Sequence, residues 1–165
     1  MRPVDAITVS TLVAVDPGTA FEVFTSDVDA WWRRGIAYRV EGEGASTMRF
    51  EPGVGGRLVE VFGEPPGELF EFGRIEVWEP GRRLVFDWRG PNFEPGQKTR
   101  VEVRFEAVGE GTRVTVEHSG WDGLPRDHPV RHRLPDGAFA RMWGGWWSRQ
   151  LGALRQLGLG ARKKN

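Results

Sequence analysis

The sequence predicts an α+β fold, a bent antiparallel β-sheet wrapped around one long C-terminal helix, with two short helices after the first strand. Three observations carry this. In FEPGVGGRLVE from Phe50 and FGRIEVWEPGRRLVFDW from Phe72, Pro-Gly and Gly-Gly punctuators separate apolar, β-prone runs, the local chemistry of antiparallel hairpins. After Asp136, residues Phe139, Trp143, Trp146, Gln150, Leu154 and Leu157 recur at three- or four-residue steps, the apolar stripe of an amphipathic helix. Short links join the strands between, and short links make antiparallel neighbours.

Taken in order, Ile7 to Val15 alternates apolar and small polar residues and reads as the first strand. Asp16 then suits an N-cap, and Pro17 the first helical position, where no N–H is needed. This helix turns Phe21 and Phe24 toward the core, and a second short helical stretch runs from Asp27 to Trp32. Six further strands are expected at Thr47 to Glu51, Arg57 to Phe62, Leu69 to Trp78, Arg83 to Arg89, Lys98 to Val108 and Thr112 to His118. Turns at Pro52 to Gly56, Glu64 to Gly67, Pro80-Gly81, Gly90 to Gly96 and Gly109 to Gly111 separate them. Alternation is sharpest in Arg100 to Glu106: Val101, Val103 and Phe105 share one face, and the charged residues take the other, so one face of the sheet is wet. Leu84, Phe86 and Trp88 follow inward on one neighbour, and Val114, Val116 and His118 on the other. In Glu71 to Trp78 the phases conflict, and Ile75 with Val77 is taken as the inward pair. Ser119 to Pro135 is rich in Pro and Gly and lacks periodicity; a loop of that length points to function or disorder, and with Trp121 and Leu124 as apolar anchors it is read as a lid.

The length of 165 residues fits one domain over 1–165, with a core from 7 to 157 and a basic tail from 158 to 165. Lys plus Arg equals Asp plus Glu at 23 each, so no net field draws the chain to nucleic acid. No cysteine is present, which excludes disulfides and thiolate chemistry. No apolar run reaches the length of a membrane span and no signal-peptide pattern opens the chain, so a soluble, cytoplasmic protein is expected.

Aromatic residues make 12% of the chain, and the strand and helix phases send most of them inward. Trp31, Trp32, Met48, Phe50, Phe86, Trp88, Phe105, Trp121, Phe139, Trp143 and Trp146 are expected to face one space between sheet and last helix. A plain aromatic core is one outcome. A curved sheet on a single helix does not close at both ends, however, so some of these rings should line a cavity for a small apolar or aromatic ligand. Gly144-Gly145 inside the helix points to close packing there or, less, to ligand contact. His118, on an inward phase, is a candidate to anchor a ligand or move a proton, against a structural, hydrogen-bonded role. Glu60 shares phase with Leu58 and Phe62, which puts a carboxylate indoors, with a cross-strand pair to Arg74 as the structural alternative. His128 and His132 lie four apart, but Pro129 and Pro135 interrupt the region and no third ligand is near, so no metal site is expected.

The order EPGVGGRLVE, FGRIEVWEPGRRLVFDW, EHSGW and GWWSRQLGAL resembles the START-related SRPBCC superfamily, within it proteins similar to the C-terminal domain of the heat-shock-protein-90 ATPase activator homologues. The likeness runs from Ile7 to Leu157. It implies a helix-grip fold with a hydrophobic cavity, no obligatory cofactor and no shared catalytic residue, so Glu60, His118 and Trp146 carry over as motif positions. Three functions follow as expectations: binding of a small hydrophobic, lipid-like or aromatic ligand; a polyketide cyclase or aromatase-like enzyme using His118 or Glu60; and a chaperone-stimulating interaction protein. A homodimer or chaperone contact stays open. Fold analogy alone does not choose among these.

Overall fold

In the computed structural model, which describes residues 5–41, 46–63 and 67–164, the first strand is β1 (Ala6–Val13). Two helices follow it, α1 (Pro17–Ser26) and α2 (Val28–Trp31). Asp16 caps α1 as expected: its carboxylate accepts from the Thr19 amide at 3.2 Å and from the Thr19 hydroxyl at 2.6 Å. Phe21 and Phe24 are buried and meet Phe105 with ring centroids 5.2 and 5.8 Å apart. The remaining strands are β2 (Ser46–Phe50), β3 (Arg57–Phe62), β4 (Leu69–Glu79), β5 (Arg83–Trp88), β6 (Thr99–Val108) and β7 (Gly111–Ser119). They form one antiparallel sheet in the order β1-β7-β6-β5-β4-β3-β2. The long helix α3 (Asp136–Lys164) lies across its concave face, which is the helix-grip fold. The expected turn at Glu64 to Gly67 lies largely outside the described residues.

β4 shows why its sequence phases conflict. Leu58 pairs with Gly73 but Val59 with Glu71, so Phe72 is an extra residue; Ile75 pairs with Phe86 but Val77 with Val85, so Glu76 is a second. Each bulge resets the alternation by one residue. Phe72 and Ile75 are therefore both buried, and Trp78, not Val77, turns to the core, where it meets Phe21 at 5.0 Å. The expectation for Ile75 holds, and that for Val77 is corrected.

The helix also runs past the expected end at Leu157. Gly158 is buried against β1: a Cβ there would lie 2.4 Å from Val13 Cγ1, and Val13 is β-branched and stiff. Residues 158–164 thus continue the helix rather than trail as a tail. Gly152 has no atom within 4 Å of the same position. Alanine at Gly152 should stabilise the protein by about 0.5–1 kcal/mol through helix propensity, whereas alanine at Gly158 should cost about 1–3 kcal/mol by overpacking. Thermal melting of both variants checks this, and opposite signs are the expected result.

Ser119 to Pro135 is not a loose lid. It contains two 3-10 turns, Trp121–Gly123 and Pro129–Arg131, and Trp121, Leu124 and Val130 are buried. Arg131 is 4% exposed. Its guanidinium donates to the Trp121 and Pro125 carbonyls at 2.7 and 3.3 Å and lies over the Phe139 ring at 5.3 Å. The hydrogen bonds close the segment on itself, while the Phe139 contact and the Trp143 Nε1–H, which donates to the Val130 carbonyl at 3.5 Å, hold it against α3.

Candidate ligand-binding site

The middle of α3 carries the rings that decide where space remains. Gly144 faces β1, where its missing Cβ would sit 4.0 Å from Ile7 Cγ2, so that side of the helix packs on the sheet. One step round, Trp147 is fully buried, while Trp143 and Trp146 are each 7% exposed. Those two rings, with Trp88 and Phe72 from the sheet, wall a cavity of about 450 Å³. Its roof is residues 36–40, its far rim Gly90 to Asn92, and Val130, His132, Met142 and Arg149 complete the lining. Ile36 is 86% exposed at the mouth, so the cavity opens to solvent.

The roof is held by residues near it in the chain and, from further away, by Trp146 and Glu60. Trp146 Nε1–H donates to the Ala37 carbonyl at 2.7 Å and Trp32 Nε1–H to the Tyr38 carbonyl at 2.9 Å. Tyr38 stacks on Trp146 with centroids 5.5 Å apart. Arg39 is 2% exposed and uses its N–H donors on Asp29 Oδ1 and on the Asp29, Trp32, Arg33 and Ser46 carbonyls. Glu60, fully buried on β3, accepts from the Val40 and Glu41 amides at 2.7 and 2.9 Å. A buried carboxylate needs such donors. The alternative of a Glu60–Arg74 pair is corrected: Arg74 pairs across the sheet with Arg57, and its guanidinium bonds to Glu71 at 3.1 Å.

His118 is fully buried on β7, outside the cavity lining but directly behind two of its rings, Trp88 at 5.3 Å and Trp143 at 5.8 Å between centroids. The indole of Trp147 is donor only, so His118 Nδ1 accepts from it at 3.0 Å. Nε2 therefore carries the proton and donates to Thr99 Oγ1 at 2.7 Å, and the Thr99 hydroxyl donates on to the Trp88 carbonyl at 2.9 Å. Every partner in this chain is satisfied. Burial pushes the imidazole down to about 3, so it is neutral at physiological pH.

Of the residues expected to face a ligand, Trp88, Trp143 and Trp146 line the cavity. Trp31, Trp32, Met48, Phe50, Phe86, Phe105, Trp121 and Phe139 are buried in the adjoining core. Continuous ring contacts join the two sets, among them Trp32–Trp146 at 5.6 Å and Trp121–Trp143 at 5.1 Å. Sequence reasoning missed the roof, Arg149 and Trp147. Trp147 had a signal: it lies four residues from both Trp143 and Leu151, a second stripe beside the one through Trp146. Tyr38 and Arg149 had none, because they meet across 111 residues.

The wall is apolar with few polar groups, and no carboxylate lines it among the described residues. Trp88 Nε1–H is buried in that wall without an acceptor among the described residues. No three His, Asp or Glu side chains converge on a metal site among them. His128 is engaged elsewhere, Nδ1 accepting from the Val130 amide at 3.1 Å and Nε2 donating to Gln97 Oε1 at 2.9 Å. No helix among the described residues is long and apolar enough to cross a membrane.

Solved structures similar to this chain include PFC0360w, an HSP90 activator from Plasmodium falciparum, at 19% identity and a TM-score of 0.64 over 95% of this chain and 97% of that one. Protein MLL2253 from Mesorhizobium loti is 18% identical with a TM-score of 0.60, covering 92% and 95%. DynU16, from the dynemicin biosynthetic locus, is 21% identical with a TM-score of 0.62, covering 93% of this chain and 47% of its own. At such identities these likenesses show the fold alone. Among curated proteins, no sequence matches. The family model described as Activator of Hsp90 ATPase homolog 1-like protein matches residues 14–156, most of the chain, and the chain belongs to that family.

Proposed function

We propose that this chain is a binding protein for a small apolar or aromatic molecule, held in the cavity between α3, the roof at residues 36–40 and the β5 end of the sheet. The observation that supports this is the cavity itself. Its volume of about 450 Å³ lies within the range of ordinary small-molecule sites, roughly 300–1,000 Å³, and its wall is built of indole and phenyl rings with few polar groups. The two residues weighed as acid or base, His118 and Glu60, are both hydrogen-bonded outside the lining. A general base must reach the proton it takes, so the geometry supports binding over cyclase-like catalysis.

Titration with 2-acetylnaphthalene, followed by tryptophan emission, should be saturable with a micromolar dissociation constant, about −8 kcal/mol. Met142 lines the cavity from a half-buried position, so Met142→Trp should fill the space with little change in melting temperature. It should weaken binding at least about tenfold, since the ligand and the new ring compete for one volume. Equal affinity in parent and M142W would remove the cavity from the reading.

A further inference from the structure

The cavity has a polarity that its apolar walls conceal. Arg39, Arg149 and His132 line it, with no carboxylate among the described lining residues. Arg39 is saturated by Asp29 and by backbone carbonyls. Arg149 is different. Its Nε–H donates to the Tyr38 hydroxyl at 2.7 Å, and its guanidinium has no carboxylate partner among the described residues.

That placement is built rather than incidental. Gly145 stands one helical turn before Arg149, and a Cβ there would lie 3.2 Å from Arg149 Nη1, so the bare turn is the shelf on which the guanidinium rests. Tyr38, the single tyrosine of the chain, is fixed in turn by its stack on Trp146 and by the Arg33 guanidinium 5.7 Å from its ring centre. Because the Tyr38 oxygen accepts from Arg149, its own O–H hydrogen is left to donate, with no described acceptor. Two donors, one of them cationic, therefore stand side by side at the rim of an apolar cavity. A low-dielectric wall strengthens their pull on a negative charge.

Resting on the binding role proposed above, we infer that the ligand is amphipathic and anionic: an apolar, ring-sized body against Trp88, Trp143 and Trp146, with a carboxylate received at the rim by Arg149 and the Tyr38 hydroxyl. Arg149 makes the charge-assisted contact, and Tyr38 both donates and positions Arg149. The guanidinium fork suits a planar carboxylate better than a point charge.

Three bicyclic probes of nearly one shape separate the outcomes: 2-naphthoate, neutral 2-acetylnaphthalene and cationic 2-(aminomethyl)naphthalene, each titrated calorimetrically at low salt. The parent should prefer 2-naphthoate to 2-acetylnaphthalene by about tenfold, a charge-assisted bond discounted for rim exposure. Arg149 is exposed, so Arg149→Gln should melt as the parent does. It should bring the preference near one, because the affinity for 2-naphthoate falls far more than that for 2-acetylnaphthalene, whose ketone oxygen takes only a neutral-acceptor bond. Tyr38→Phe should lower the preference less, by about two- to threefold, and high salt should lower it in the parent. Equal affinity of the parent for the anionic and neutral probes, or best binding of the cation, would overturn the anionic-ligand inference while leaving the binding role intact. A preference that survives R149Q would overturn the assignment to Arg149. Failure of all three probes to bind would overturn the binding role and this inference together.

Discussion

Gly73→Ala is expected to remove a large part of the folding free energy of the protein, up to all of it. Gly73 follows the bulge at Phe72, and a Cβ on it would lie 1.6 Å from the Asp87 carbonyl oxygen and 2.6 Å from its carbon. The obstacle is backbone, so no rotamer change relieves it. The same stretch is tied across the strands: the Arg89 amide donates to the Phe72 carbonyl at 2.7 Å, and the Arg74 amide to Asp87 Oδ1 at 3.0 Å. Making room for one methyl group means parting β4 from β5 beneath the cavity. A cost above about 4–5 kcal/mol is expected, against a total stability of about 5–15 kcal/mol for a domain. Circular dichroism and thermal melting measure it. A G73A protein melting within a few degrees of the parent would show that these strands part easily, and the bulge would lose its role.

The second large effect centres on His118. Removing the imidazole strands the Trp147 N–H in a fully buried site and leaves a void among Trp88, Trp121, Trp143 and Trp147. His118→Ala should therefore cost about 3–5 kcal/mol. His118→Asn keeps an acceptor near Trp147 and should cost less. Acid provides the sharper test. The folded imidazole is held down to about 3 by burial, while in the unfolded chain it titrates near its ordinary 6.5. The unfolded state thus binds the proton first, so stability falls as pH drops below 6.5 toward 3, by about 1.4 kcal/mol per unit. Burial lowers His128 as well, which adds to the same window. Glu51, held at about 2 by its hydrogen bonds with Arg57, loses its contribution only as pH falls below 4.5. Between 6.5 and 4.5 the slope therefore belongs to the histidines, and H118N should remove the larger part of it. Urea titrations across that range decide the point; an unchanged slope in H118N would mean that the site admits water.

Much of the fold was legible because its causes are local. The cap at Asp16 depends on its own side chain and the residues just after it, and the inner face of β6 on strict alternation over a few residues. Where alternation failed, in Glu71 to Trp78, the conflict itself marked the two bulges, yet placing them needed the partner strands. Inward phase was read correctly for His118 and Glu60 as well, and both are fully buried. Their partners were not legible. Glu60 holds the amides of Val40 at the end of the roof and of Glu41 just after it, about twenty residues back in the chain, and Trp147 reaches His118 from 29 residues onward.

The aromatic inventory marks the boundary. By itself the sequence determined that a large set of rings faces the space between sheet and helix, since residue spacing sets the face on which each side chain stands. Only the tertiary structure decided which of them fill that space and which border a gap. That outcome depends on the distances between segments far apart in the chain: Trp146 against Ala37, Arg149 against Tyr38, and Gln150 taking the Arg33 amide at 2.8 Å. Periodicity assigns a side chain to a face but leaves the separation of two faces undetermined, and a cavity is a property of that separation.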